Sequence, residues 1–343
     1  MDGYVMAFDG KDNEWQISQT VQAGDTSVPP LKARQASRIF TGARIPDGAD
    51  TVIPQELVEL DRDKKKVCYN GDKIVKGSNV RLKGTQCRKG ELVVEQGNLI
   101  TPGVIGLLAS VGIQEVEVYK IPSVACIITG NELKEVGEEL MEGEIYNSNG
   151  PMLEACLTQS GLHKIVVLRA TDDKGKLQRL INGALDKHEV LLLSGGISVG
   201  DYDFVKECLE QAGVEELFYK VKQRPGKPFF VGKKEGKYVF ALPGNPASVL
   251  SCFYQYVRPS LKFIMGHDQV WEPDALLELT EEVKKKPGFT FFMKAKSENG
   301  KVQVLGGQQS FNLFSFNQAN CLVELGEEEE IIAKGTMVRT YHI

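Results

Sequence analysis

No apolar run in this sequence approaches the length needed to cross a bilayer, and no signal-peptide pattern opens it, so neither a membrane span nor secretion is expected. Cysteine pairs are missing too. Cys68, Cys87, Cys126, Cys156, Cys208, Cys252 and Cys321 are odd in number, none forms a CxxC pair, and several lie in apolar runs as buried thiols do. That excludes a disulfide framework and a zinc knuckle and points to a reducing, cytoplasmic compartment. Histidine is scarce, with 4 residues and no HxxxH or HExxH, so a histidine-based metal site is not expected. Positive charge is not in excess: 41 Lys and Arg stand against 46 Asp and Glu, a net charge of −5. A nucleic-acid partner is therefore not expected, although local basic clusters can still hold a small anion. Internal repeats and low-complexity linkers are absent.

What is there is ordinary for a globular chain: 343 residues, 42% hydrophobic and 25% charged, a length that suggests two to four domains. The first 120 residues are turn-rich, with β-prone runs at 38–41, 51–55, 66–69 and 91–94 broken by Gly, Pro, Asp and Asn. Residues 61–66, DRDKKK, read as a solvated hairpin tip. Residues 101–112 read as a short helix with Thr101 as N-cap, Pro102 in the first turn and Gly112 as stop. From Ile121 the texture changes. Strands at SVACIITG, KIVVLRAT, EVLLL and KYVFAL alternate with the helical patterns NGPMLEACLTQSG, KGKLQRLINGALDK, DYDFVKECLEQAG and ASVLSCFYQYV. Continuous apolar strands between helices predict a three-layer α/β domain with a mostly parallel sheet over about residues 121–266. After WEPDA the chain is β-rich again, around 275–279, 289–295, 302–305 and 321–325, which suggests a small barrel or sandwich.

In an open parallel sheet, ligands bind beyond the carboxyl ends of the strands. Those connections are TGNEL with Glu132, TDD with Asp172 and Asp173, SGGISVGDYD with Asp201 and Asp203, and PGNPAS. Two look built for anions. Gly195, Gly196 and Gly200 let the backbone approach a ligand, with Ser194 and Ser198 as donors. In PGNPAS, after Pro243 and Gly244, Asn245 fits an N-cap and Pro246 the first helical turn, so N–H groups there could hold a phosphate. A second stiff Pro-Gly-x-Pro turn, RPGKP, lies upstream, and Lys220, Arg224 and Lys227 around it could neutralise phosphate or another oxyanion. Carboxylates on the same rim would repel such a ligand unless a hard cation such as Mg²⁺ joined them. Spacing alone thus reaches an α/β domain for a phosphorylated, metal-linked small molecule and does not identify it.

The segments SGGISVGDYDFVK, RPGKPFFVG and ALPGNPASV resemble the molybdopterin molybdotransferase family (MoeA, and the E domain of gephyrin). Ordered matches extend to MDGYVMA, IFTGARIPDGADTVI, ITGNEL and QQSFNLFSFNQANCLVEL. The resemblance implies an N-terminal β-rich domain over 1–82, a remnant of an extended dimerisation and linker domain over 83–120, a MogA-like molybdopterin-binding domain over 121–269 and a C-terminal β-barrel over 270–343. It implies insertion of molybdate into adenylylated molybdopterin, with release of AMP, Mg²⁺ as cofactor and a homodimer as the working form. The family's site positions fall on Asp2, Thr41, Glu132, Asp172, Asp203, Lys220, Lys227 and Ser310. Glu132, Asp172 and Asp203 are assigned to Mg²⁺ and phosphoanhydride chemistry; Thr41, Lys220, Lys227 and Ser310 to anion binding. Asp2 is expected to complete the site of a neighbouring subunit from a terminus that frays.

The chain departs from the family pattern in three places. The family continues upstream of MDGY by several dozen residues that include helices, so part of the dimerising domain is expected to be missing. Gln86 stands in GTQC where the family often has an acidic residue, and Arg224 and Lys294 exchange the commoner Lys and Arg. Two other readings stay open: the related molybdopterin adenylyltransferase, which shares the α/β domain but not the flanking regions, and a non-catalytic pterin-binding or scaffold protein.

Overall fold

The structure, a computed structural model, describes residues 1–197 and 204–343. Contacts divide the chain into two units, Met1–Glu95 and Gln96–Ile343.

The first unit is built on a six-stranded sheet in the order Thr51–Pro54, Gly3–Met6, Gln35–Ile39, Glu14–Val21, Lys66–Cys68, Glu59–Asp61. The Gly3–Met6 strand is buried along its whole length and pairs antiparallel with both neighbours. A Cβ on Gly3 would lie 2.2 Å from the Ile53 carbonyl oxygen, so only glycine lets the two backbones come this close. Trp15, Met6, Ile53 and Val67 fill one core of this unit; Val5, Leu31, Ile39 and Val52 fill another. Three of the four strands expected here form. The fourth, at 91–94, does not: the Glu91 carboxylate accepts the Arg88 N–H at 2.8 Å and the Glu91 N–H bonds the Arg88 carbonyl, closing a local turn.

The second unit opens with the helix Pro102–Ser110, where Thr101 Oγ1 accepts the Val104 N–H at 3.3 Å as the sequence suggests. A six-stranded sheet follows, in the order Ile165–Ala170, Val124–Thr129, Val190–Ser194, Lys237–Leu242, Phe230–Lys234, Glu215–Tyr219. The first four strands are parallel; the last two extend the sheet antiparallel. Alternate residues feed two cores. Val124, Cys126 and Ile128 pack with the helix Asn149–Gln159 and the helical run that starts at Pro246. Ala125 and Ile127 pack with the helices Lys174–Lys187 and Val205–Gln211. Burial on both faces is why these strands carry no polar alternation. This is the three-layer α/β architecture expected. The helical run changes character at Phe253–Val257, a π-helical stretch, before continuing as Arg258–Ile264.

The C-terminal strands close on themselves. Thr290–Glu298 pairs with Lys301–Val304, which leads through Ala275–Leu279, Met337–His342 and Cys321–Leu325 back to Thr290–Glu298. The result is a closed five-stranded barrel rather than a sandwich, with an edge left only where Thr290–Glu298 runs beyond its partner Lys301–Val304. The two-residue strand Gln223–Arg224 adds to the barrel by pairing with Thr290 and Phe291. The first Pro-Gly turn is thereby fixed between the α/β sheet and the barrel.

Glu189 pins the entry to the first parallel strand. Its carboxylate accepts the Ser123 N–H at 2.8 Å and bonds the Ser123 hydroxyl and the Lys120 ammonium. The Lys120 ammonium and then the Ser123 donors hold its pKa at about 2, below the ordinary 4.5. Because the side chain is 37% exposed, solvent screening limits the ion pair to roughly 1 kcal/mol. A depressed carboxyl pKa stabilises the fold above the ordinary value and stops doing so as the pH falls through the depressed one. Glu189→Gln should therefore lose about 1 kcal/mol at pH 7, with the gap closing as the pH falls from about 4.5 to about 2. Denaturant unfolding across that range checks this; an undiminished gap at the acid end would contradict it.

Candidate functional site

Strand order places a topological switch in the α/β sheet. The chain runs from Val124–Thr129 to Ile165–Ala170 on one side, then crosses to Val190–Ser194 on the other. The crevice therefore opens above the carboxyl ends of Val124–Thr129 and Val190–Ser194. Thr129 Oγ1 bonds the Ser194 carbonyl at 3.4 Å, and a Cβ on Gly195, at φ +93°, would meet the Thr129 carbonyl at 2.6 Å. Gly195 is thus required for the two ends to meet. Asn149, at the start of the following helix, donates to Ser194 Oγ at 3.0 Å and to the Gly244 carbonyl at 2.8 Å. Ser194 Oγ bonds the Pro243 carbonyl at 3.2 Å. On the other side Asn131 and Asp172 exchange bonds: the Asn131 N–H reaches Asp172 Oδ2 at 3.2 Å, and the Asp172 N–H reaches Asn131 Oδ1 at 3.1 Å. Four strand ends are so joined into one rim.

The two Pro-Gly turns face a cavity of about 390 Å³ shared with the barrel; Arg224, Lys227, Asn245, Gln308, Gln309 and Ser310 contribute to its wall. The upstream turn is fixed from beneath. Gln223 is buried, donates to the Pro225 carbonyl at 3.0 Å and accepts from the Tyr256 hydroxyl. At Gly226, φ +94°, a Cβ would lie 2.5 Å from Cys252 Sγ. Burial pushes the Cys252 thiol well above its ordinary pKa, so it acts as packing rather than as a nucleophile. The turn's cations are exposed, with Arg224 4.8 Å and Lys227 5.9 Å from the centre of the Phe289 ring. An aromatic face steadies them without neutralising them.

The second turn differs from the sequence reading. Asn245 stands at the N-cap, but its side chain makes no capping bond; Nδ2 donates to Ser310 Oγ at 3.0 Å. Pro246 has no N–H, the Ala247 N–H bonds the Ser310 carbonyl at 3.0 Å, and those of Ser248 and Val249 bond the Asn245 carbonyl. That helix start has no donor to spare for phosphate at these positions. Its contribution is to seat Ser310.

The loop that carries Ser310 is held in turn by a buried cation. Lys294 is 2% exposed, in the middle of the Thr290–Glu298 strand. Its ammonium donates to the carbonyls of Gly307 at 2.6 Å, Asn312 at 3.0 Å and Gln309 at 3.5 Å, and lies 5.3 Å from the Phe316 ring. No carboxylate among the described residues pairs with it, and burial lowers its pKa. Gln308 completes the loop by bonding the Lys294 N–H, the Lys294 carbonyl and the Leu305 carbonyl.

Three family models cover these parts in order. Residues 1–112 match the MoeA N-terminal region (domain I and II), 125–262 the "Probable molybdopterin binding domain" and 277–343 the MoeA C-terminal region (domain IV). The molybdopterin molybdenumtransferase of Staphylococcus aureus (strain Mu50) is 36% identical over 317 residues, 91% of this chain and 75% of the relative. The chain belongs to the molybdopterin molybdenumtransferase (MoeA) family. The Haemophilus influenzae molybdopterin molybdenumtransferase is 34% identical over 346 residues, 98% of this chain and 85% of that one. The crystal structure of the molybdopterin biosynthesis MoeA protein from Pyrococcus horikosii superposes with a TM-score of 0.82 at 30% identity, covering the whole of this chain and 86% of that one.

The structure distributes the residues that the sequence and the family resemblance single out. Glu132 and Asp172 lie on the rim, at the ends of neighbouring strands; Gly195, Gly196, Pro243, Gly244 and Asn245 lie on the loops that join it. Arg224, Lys227 and Ser310 line the cavity with Pro243 and Asn245. Lys220, at φ +65°, does not line it; its ammonium lies 4.8 Å from the Tyr219 ring. Asp2 and Thr41 lie in the other unit and bind each other: Asp2 Oδ1 accepts the Thr41 N–H at 3.0 Å and the Thr41 hydroxyl at 3.1 Å. Those two bonds hold the Asp2 carboxyl below its usual pKa, and the Gln55 N–H bonds the Asp2 carbonyl at 3.1 Å, so Asp2 is tied down rather than frayed. Ser198 and Asp203 lie outside the described residues. Sequence reasoning missed Asn149, Gln223 and Gln308, whose work is to hold backbone carbonyls and N–H groups. It noted Lys294 only as a departure; its signal was a lysine inside the apolar run FFMKA.

Replacing Lys294 with Met should cost about 1–3 kcal/mol, because carbonyls of the 307–312 loop lose their donor while relief from burying an ammonium offsets only part. Amide exchange in that loop should rise before that of the barrel strands. Unchanged stability and unchanged loop exchange would show that the carbonyls find other donors.

Proposed function

We propose that this chain is a molybdopterin molybdotransferase. It takes adenylylated molybdopterin, places molybdate at the dithiolene sulfurs and releases AMP as the phosphoanhydride is cleaved. One observation carries the reading: a cavity with two exposed cations and a fixed serine hydroxyl opens where the Pro-Gly turns meet the barrel, on the same unit as the glycine-bearing strand ends. A tetrahedral dianion such as molybdate suits Arg224, Lys227 and Ser310. Arg224 can grip two oxygens, Lys227 supplies a point charge and the Ser310 hydroxyl a donor. Gly195 and Gly196 allow the nucleotide-linked pterin to approach the backbone, and Glu132 and Asp172 border that approach.

Glu132 and Asp172 are oxygen donors of the kind a hard divalent cation takes, which fits Mg²⁺. Among the described residues no cluster of three metal-type side chains gathers, and the third carboxylate that the sequence assigns, Asp203, lies outside them. When bound, Mg²⁺ would neutralise charge on the phosphoanhydride oxygens. The chain's own residues do the rest: Asn131 fixes Asp172, Glu132 lies over Gly130 beside it, and Asn245 fixes Ser310. A cytoplasmic homodimer is proposed as the working form, with Asp2, held by Thr41, serving the partner's site. No helix among the described residues is long and apolar enough to cross a membrane.

Purified chain given adenylylated molybdopterin, molybdate and Mg²⁺ should release AMP and yield active cofactor. Asp172→Asn should lower kcat about 100-fold with the fold intact, the usual order for a group placed at developing charge. Lys227→Ala should instead raise the KM for molybdate about tenfold, a loss of binding common to ground and transition states. Binding without AMP release would favour a scaffold, and ATP consumed to form the adenylate would favour an adenylyltransferase.

A further inference from the structure

Asn149 carries no role in the reading above, yet its side chain sits where two loops of the rim meet. Asn149 begins the helix Asn149–Gln159 without serving as its cap. Ser148 is the N-cap residue and makes no side-chain capping bond; one residue upstream, Asn147 Oδ1 accepts the Gly150 N–H at 3.0 Å. The Asn149 amide is left to make tertiary bonds. Nδ2 donates to Ser194 Oγ at 3.0 Å and to the Gly244 carbonyl at 2.8 Å. Ser194 passes the connection on to the Pro243 carbonyl at 3.2 Å, and the Gly195 N–H bonds the Leu242 carbonyl at 3.3 Å. Gly195 and Gly244 are neighbours: a Cβ on Gly244 would lie in ordinary van der Waals contact, 3.8 Å from the Gly195 Cα. Asn149 Oδ1 is buried with no hydrogen-bond partner among the described residues. A buried amide oxygen gains nothing where it has no partner, so what this side chain contributes among the described residues is its two donors.

We propose that Asn149 is a positioning residue: its two N–H groups hold the Ser194–Gly196 and Pro243–Asn245 loops at the separation that admits the phosphate-bearing part of the substrate. The proposal rests on the transferase reading for the identity of that ligand; the clamp itself does not. Aspartate has the same shape but no donors, and it would set a carboxylate against the Gly244 carbonyl. The bond to Ser194 predicts coupling, since residues in one hydrogen-bond chain do not act additively.

The test compares the unmutated chain with Asn149→Asp, Ser194→Ala and the double variant. In the free protein, amide hydrogen exchange at residues 194–196, 244 and 245 should quicken at least about tenfold in Asn149→Asp, with the barrel strands unchanged. The KM for adenylylated molybdopterin should rise about tenfold while kcat holds within about twofold, and the double variant should be no worse than Asn149→Asp alone. Unaltered exchange in the two loops would overturn the clamp. Altered exchange with an unaltered KM, or additive losses in the double variant, would overturn its role in positioning. If Asn149→Asp does not fold, Asn149→Ser, a shorter side chain that keeps a donor, replaces it, with partial losses expected in both readouts. A parent chain that releases no AMP would count against the transferase reading, while loop exchange would still decide the clamp.

Discussion

The site depends on hydrogen bonds from neutral side chains to backbone carbonyls at the ends of parallel strands. Parallel strands end in unpaired carbonyls and N–H groups, and a crevice at those ends exposes them where water or ligand must satisfy them. Here amides and hydroxyls take much of that work. Asn149 and Ser194 hold the Pro243–Gly244 loop, Asn131 holds the Asp172 connection, and Asn245 holds the Ser310 hydroxyl. The charged groups Arg224, Lys227 and Glu132 are thereby left exposed and available for chemistry. Such bonds contribute only about 1 kcal/mol each to stability, but their direction fixes loops that glycine would otherwise leave loose.

The barrel belongs to the site for a mechanical reason. Gln223–Arg224 is at once part of the turn that bears the cations and a strand of the barrel sheet, so the turn cannot shift without the barrel. The 307–312 loop returns the support, with Lys294 beneath it and Ser310 on the helix start above. A lysine buried among carbonyls is costly unless its donors are used, and here they fix the loop that lines the cavity.

Much of this fold was legible in the sequence. The run Lys174–Lys187 shows a helical stripe from Leu177 to Leu185, and the apolar strands show no alternation because both their faces are covered. What escaped were elements whose signal is tertiary. Glu215–Tyr219 and Phe230–Lys234 pair only with each other and the sheet edge, and a bulge between Glu216 and Phe218 breaks the alternation. The reverse error occurred at 91–94, where a β-prone run is captured by a local turn. At the candidate site, charged residues were singled out because their chemistry is visible in isolation. Asn245 was assigned to capping, when its side chain reaches 65 residues along the chain to Ser310. Asn149 and Gln308 were not seen, because an amide's role lies in partners that the sequence does not bring near.

The account's central claim is that the oxyanion sits between the basic Pro-Gly turn and the barrel loop. Anomalous diffraction at the molybdenum edge, from crystals of the chain equilibrated with molybdate, tests it most directly. A peak bounded by Arg224, Lys227 and Ser310 is predicted, and its loss in Lys227→Ala crystals should follow. Molybdate bound on another face, with that cavity empty, would contradict the account.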